Sequence, residues 1–224
     1  MFFPIGDEES RPGSTATVVL AFIAFNVLAF VAELQGGLDR TTLRYGGVPY
    51  LLTHDLDGSW YTAFTSMFMH GSWMHLFGNM LFMWIFADNI EDLLGESGFL
   101  IFYVACGLCA LAAHVALDPN SKIPVVGASG AISGVLGAYI AMFPHNSIRN
   151  FYWVYFFVGV TNLPAWLYLG IWFLMQLLMA RVDATGGGVA FGAHVGGFVA
   201  GVVLIQVFPK RAEALHHYRW RTGR

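Results

Sequence analysis

Six apolar stretches, near residues 16–35, 74–90, 98–117, 127–143, 164–180 and 193–208, constrain this chain more than any other feature. Each is close to the length a helix needs to cross a hydrocarbon layer about 30 Å thick. Backbone groups in lipid must be paired within the spanning segment, which selects helices over irregular structure. With 224 residues, 57% hydrophobic and 11% charged, little is left over for a separate soluble domain. The chain reads as an all-α polytopic membrane protein, a single domain over 1–224. The architecture predicted is a compact six-transmembrane-helix bundle with a core at about 60–205 and a long, partly interfacial first loop. A polar N-terminal segment, 1–15, and a basic C-terminal tail, 209–224, flank it. The first apolar stretch follows Asp7, Glu8 and Glu9, not a basic flank, and its run is too long for a signal peptide, so it reads as a retained helix. A net charge of −3 gives no ground for a nucleic-acid partner.

Lys and Arg favour cytoplasmic loops. Six spans put both termini on one side, with Arg11, Arg149, Lys210, Arg211, Arg219, Arg221 and Arg224. The other side holds Arg40, Arg44, Lys122 and Arg181. Seven against four predicts cytoplasmic termini. Spans two, four and six then run from outside to inside. His70 and His75 open the second, Ser129 the fourth and His194 the sixth, while spans one, three and five show no comparable residues at that level. Polar groups in hydrocarbon are costly, so a shared layer of them points to function.

Close packing has to bring these helices together, because lipid supplies no hydrophobic drive. Gly130/Gly134 and Gly197/Gly201 are small-xxx-small pairs on the fourth and sixth spans. They predict a backbone approach close enough for the Ser129 hydroxyl to reach the His194 imidazole, the arrangement that activates a serine. Cys106 and Cys109, three apart on one face of the third span, read as buried free thiols. The 148–163 segment is apolar but interrupted by Gly159 and Asn162, which suggests an interfacial or re-entrant piece.

Three blocks resemble the rhomboid family of intramembrane serine proteases. His70-Gly71-Ser72-Trp73-Met74-His75-Leu76-Phe77-Gly78-Asn79 is similar to the family's His-x4-His-x3-Asn, Gly127-Ala128-Ser129-Gly130 to its Gly-x-Ser-Gly, and Ala193-His194-Val195-Gly196-Gly197 to its Ala-His-x-x-Gly. Weaker likenesses are Glu91 with Gly95, and Pro164-Ala165-Trp166 with Trp172 and Gln176. The resemblance implies that Ser129 is the nucleophile and His194 the general base of a dyad without a third carboxylate. It gives the oxyanion to His75, Asn79 and the Ser129 backbone N–H. His75 and Asn79, four apart, share a helix face, and the first N–H groups of a helix lack partners. His70, Gly127, Gly130 and Gly197 take structural places near the site, His70 tying the loop down. No cofactor and no metal is implied.

Two departures stand out. Many members have an aromatic residue four after the serine, beneath the imidazole; Ser133 occupies that position here. Many carry Trp-Arg nine and eight residues before the first motif His; Tyr61 and Thr62 stand there. The reading is a serine endopeptidase that cuts transmembrane segments of membrane proteins near their outer end. Its partners are those substrates and the lipid bilayer, in a multi-pass protein of a bacterial cytoplasmic membrane. The alternative is a catalytically silent rhomboid-like module that binds or chaperones membrane proteins. A metalloprotease would need His-Glu-x-x-His, which does not occur.

Overall fold

The computed structural model describes residues 2–7, 15–182 and 190–222. Glu8, Glu9, Arg11 and Arg224, used above, lie outside the described residues. Strand β1 (Phe2–Gly6) leads to helix α1 (Thr17–Gly36). The first loop then folds into short helices α2 (Leu38–Tyr45), α3 (Pro49–His54), α4 (Leu56–Ser59) and α5 (Thr62–Thr65), closed by a 3-10 turn at Ser66–Phe68. Helices α6 (Trp73–Leu94), α7 (Glu96–Leu117) and α8 (Ser129–Met142) follow. Strands β2 (Ser147–Val154) and β3 (Phe157–Pro164) join α8 to α9 (Ala165–Val182). Helices α10 (Phe191–Val207) and α11 (Ala212–Thr222) complete the described chain.

Long helices stand at each of the six apolar stretches. Among the described residues, α1 and α7 are long and apolar enough to span a membrane by themselves, and the pair α10 and α11, bent by 109°, passes as a third. Helix α6 carries His75, Asn79, Asp88, Asn89, Glu91 and Asp92 within its length. Helices α8 and α9 carry apolar segments of fewer than 18 residues.

The fold is mostly helical but not all-α, which corrects the sequence reading. Strands β1, β2 and β3 form an antiparallel sheet in that order, with Phe2 opposite Tyr152, Ser147 opposite Pro164 and Val154 opposite Phe157. The 148–163 segment is therefore a hairpin, and part of the N-terminal segment is its third strand. Buried Ile148 and Asn150 alternate with exposed Arg149 along β2. That period of two selects a strand. The basic C-terminal tail has structure of its own. Its residues form α11, which buries Ala214 and Tyr218 against the bundle.

Two capping arrangements set the helix ends. The Glu91 carboxylate accepts from the Val18 and Val19 N–H groups at 2.9 and 2.8 Å, satisfying orphan donors at the start of α1. Four residues on, Gly95 turns the chain from α6 into α7 with φ +74. Helices α8 and α10 meet backbone to backbone. A Cβ on Gly197 would overlap the Gly130 carbonyl oxygen, and one on Gly201 the Gly134 carbonyl oxygen. The two thiols part company instead of sharing a buried face: Cys106 is buried beside Gly134, whereas Cys109 is exposed.

Candidate active site

The site is assembled at the end of the bundle where α6, α8 and α10 begin. Ser72 caps α6, its hydroxyl accepting from the His75 N–H at 3.1 Å. One turn further on, Asn79 is buried. His75 and Asn79 both line a cavity of about 1020 Å³ that also reaches Ser129, His194, Gln176 and His114. The Asn79 Nδ2 has no hydrogen-bond partner, so a donor stands ready at the cavity wall.

Gly127 explains how the serine reaches this cavity. Its φ of +124 is a conformation that side chains resist. A Cβ there would lie 2.7 Å from both Cε1 and Nε2 of His75. Only glycine lets the loop lie flat on that imidazole before turning into α8. The Gly127 N–H is anchored on the Ser66 carbonyl at 2.9 Å. Ser129 is the first residue of α8, where an N–H has no intrahelical acceptor. Gly130 keeps that first turn close to α7, a Cβ there falling 2.8 Å from the Ala110 Cβ.

The structure brings Ser129 and His194 together. The serine Oγ is 2.8 Å from Nε2 of His194. On the other side of the ring, Nδ1 is 2.7 Å from Oε1 of Gln176, on α9. An amide oxygen only accepts, so the hydrogen sits on Nδ1. The Nε2 lone pair is thereby turned to the serine hydroxyl, which donates. The imidazole is flanked by Trp172 and Phe191, with ring centroids at 6.1 and 6.2 Å. These groups hold His194 where an aromatic at position 133 does not. Ser133 donates its hydroxyl to the Ser129 carbonyl at 2.6 Å and is spent on the helix backbone.

His70 lies just before α6, fully buried. Its backbone N–H points at the Glu33 carboxylate of α1, 3.2 and 3.1 Å from the two oxygens. Its ring meets that of His75 edge-on at 5.2 Å. The two rings meet because His70 lies outside the helix that carries His75. Burial pushes the His70 imidazole down to about 4, and neighbouring His75 adds to the shift, so His70 is neutral around pH 7. The first loop is tethered where Trp-Arg is absent: Tyr61 donates to the Arg44 carbonyl at 3.2 Å and Thr65 to that of Tyr45 at 2.7 Å.

The helices at the first, third and fifth apolar stretches, α1, α7 and α9, do carry polar residues at this level, contrary to the sequence reading. Glu33, His114 and Gln176 are those residues. The signal available was an ionisable or amide side chain isolated in an apolar helix, as in Leu174-Met175-Gln176-Leu177-Leu178.

Residues 57–211 match the family described as Rhomboid domain. The chain belongs to the rhomboid family. The chain is 33% identical over 131 residues to the Rhomboid protease GluP of Bacillus subtilis (strain 168), a match covering 56% of this chain and 25% of that protein. It is 29% identical over 190 residues to Rhomboid protein 1, mitochondrial, of Saccharomyces cerevisiae, covering 83% and 51%. It is 27% identical over 215 residues to Rhomboid-like protein 11, chloroplastic, of Arabidopsis thaliana, covering 91% and 69%. The chain thus spans from a quarter to about half of the length of the first two. Rhomboid proteins are integral to membranes. Because these relatives come from a bacterium, a mitochondrion and a chloroplast, they give no support to a bacterial cytoplasmic membrane in particular.

Proposed function

We propose that this rhomboid is an intramembrane serine endopeptidase that cleaves transmembrane segments of membrane proteins near their outer end. In this reading six helices, α1 and α6 to α10, cross the bilayer, with cytoplasmic termini as the Lys and Arg distribution suggests. The observation that carries it is the chain of contacts from Gln176 to His194 to Ser129, at 2.7 and 2.8 Å. It opens on a cavity of about 1020 Å³, which in this reading takes water and an unwound stretch of substrate.

The chemistry follows from the groups present. Ser129 Oγ attacks the scissile carbonyl carbon as its proton passes to His194 Nε2. The C=O π bond becomes an oxyanion facing His75, the free Asn79 Nδ2 and the Ser129 N–H, all preorganised before charge develops. The imidazolium then protonates the departing amine, and the C–N bond breaks to leave an acyl ester on Ser129. A water molecule, deprotonated by His194, hydrolyses that ester. The Gln176 amide keeps the ring in one tautomer throughout, a task given elsewhere to a carboxylate.

The test uses the purified chain in proteoliposomes with a single-span reporter. Intact protein cleaves the reporter and Ser129→Ala does not, a drop of about 10⁶-fold as for other serine nucleophiles. Binding of the reporter with no cleavage by the intact chain would instead identify the silent binding module.

A further inference from the structure

The β2–β3 hairpin ends in a cluster of aromatic side chains that the peptidase reading does not use. Tyr155, Phe156 and Phe157 are 87%, 98% and 75% exposed, and Trp153, Val154 and Val158 are more than half exposed. The turn itself is Tyr155–Phe156, between the paired residues Val154 and Phe157. Two-residue turns of this kind favour Asn-Gly, because they demand positive φ. Tyr155 adopts φ 53, the only non-glycine positive φ among the described residues. An aromatic there strains the backbone, and the exposed rings forgo further burial. Both penalties fall on the same residues, which points to a use for the tip.

We propose that this tip seats in the boundary between headgroups and acyl chains of the leaflet at the end where α8 terminates, with anionic phospholipid as its partner. The sheet does not project away from the helices. Phe2, opposite Tyr152, lies with its ring 6.4 Å from that of Tyr168, in the first turn of α9. The middle of the hairpin therefore packs beside the first turn of α9. The turn follows three residues further along the hairpin, about 10 Å at roughly 3.3 Å per residue. Strand β3 also runs directly into α9, whose exposed Trp166, Ile171 and Leu174 continue the apolar surface. The Trp153 indole N–H donates to the Tyr155 carbonyl at 2.8 Å, so the ring leaves water without an unpaired donor. Trp and Tyr are the side chains that concentrate at membrane interfaces. Lys210 and Arg211, following α10 at the same end, complement an anionic leaflet. An anionic lipid surface meets the apolar tip and the basic residues at the same end with one partner.

The experiment places a fluorophore at the turn. Phe156→Cys, in a chain with Cys106→Ala and Cys109→Ala, is labelled with an environment-sensitive nitrobenzoxadiazole and reconstituted in phosphatidylglycerol-containing vesicles at low protein density. Ile101→Cys, on the exposed face of α7, is the reference. The expected result at Phe156 is a blue-shifted emission, quenched more by spin labels near the headgroup than by labels deep in the chain. An aqueous spectrum at Phe156 beside a lipid-quenched one at Ile101 overturns the proposal alone. Aqueous spectra at both overturn the membrane placement of the bundle with it. A blue shift that grows with protein density and ignores the lipid quenchers assigns the tip to a second copy and overturns the lipid partner. None of these readouts depends on peptidase activity.

Discussion

Polar side chains are buried at both ends of the helix bundle, but at one end a network closes around Asp7 and Tyr218, with Asn150 Oδ1 and His217 Nε2 left unpaired away from the cavity, and at the other, unpaired groups line the cavity. Where α6 and α8 end, Asp7 Oδ2 accepts from Asn89 Nδ2 at 2.8 Å and from the Tyr139 hydroxyl. Asn146 donates to Tyr139 at 3.2 Å. The Tyr218 hydroxyl is 3.1 Å from Asn89 Oδ1 and 3.2 Å from Asp92 Oδ2. This network pins the N-terminal strand and α11 to the bundle. At the other end, Asn79 Nδ2, His114 Nδ1 and His70 Nε2 have no partner, and the first two belong to residues lining the cavity. A buried polar group left unpaired costs about 1–3 kcal/mol. The contrast teaches that burial of polar residues in an apolar bundle does not by itself mark a site. The network around Asp7 and Tyr218 ties elements together, whereas in the proposed reading the unpaired groups around the cavity serve the chemistry.

Substitutions at the two ends separate these roles. The largest effect is expected for Asn79→Ala, which should lower reporter turnover by about 10²–10³-fold, the usual loss for one oxyanion donor. The thermal midpoint should hardly move, since Nδ2 has no bond to lose. Gln176→Leu comes next. It frees the His194 ring, and turnover should fall by about 10–100-fold, the range for partners that orient a reactive imidazole at metal sites. Smallest in turnover is Tyr139→Phe at the closed end. It should cost about 1–3 kcal/mol of stability in a denaturation series, with turnover nearly unchanged in the folded fraction. Equal losses of turnover from Tyr139→Phe and Asn79→Ala would erase the distinction between the ends.

Much of this was legible in the residues, for physical reasons that differ by element. The six long helices follow from the apolar runs, with ends then fixed by features such as the Glu91 cap and Gly95. The glycine pairs on α8 and α10 foretell a contact that the backbone overlaps at Gly197 and Gly201 explain. The sheet was hidden because the hairpin is apolar on both faces near its tip, which masks the period of two. Helix α11 was hidden among Arg and Lys, its buried side resting on Ala214 and Tyr218, four apart. The partner of His194 could not be read from spacing, since Gln176 meets it only once α9 packs on α10. Ser133 looked like a gap beneath the imidazole, and Trp172 fills it from another helix.

The central claim is that Ser129, activated by His194, is a nucleophile. It is tested most directly by treating the folded protein in lipid with a fluorophosphonate and mapping the adduct by mass spectrometry. The account predicts one phosphonylated residue, Ser129, with labelling lost in His194→Ala. An unlabelled folded protein, or an adduct on Ser133 in place of Ser129, would contradict it.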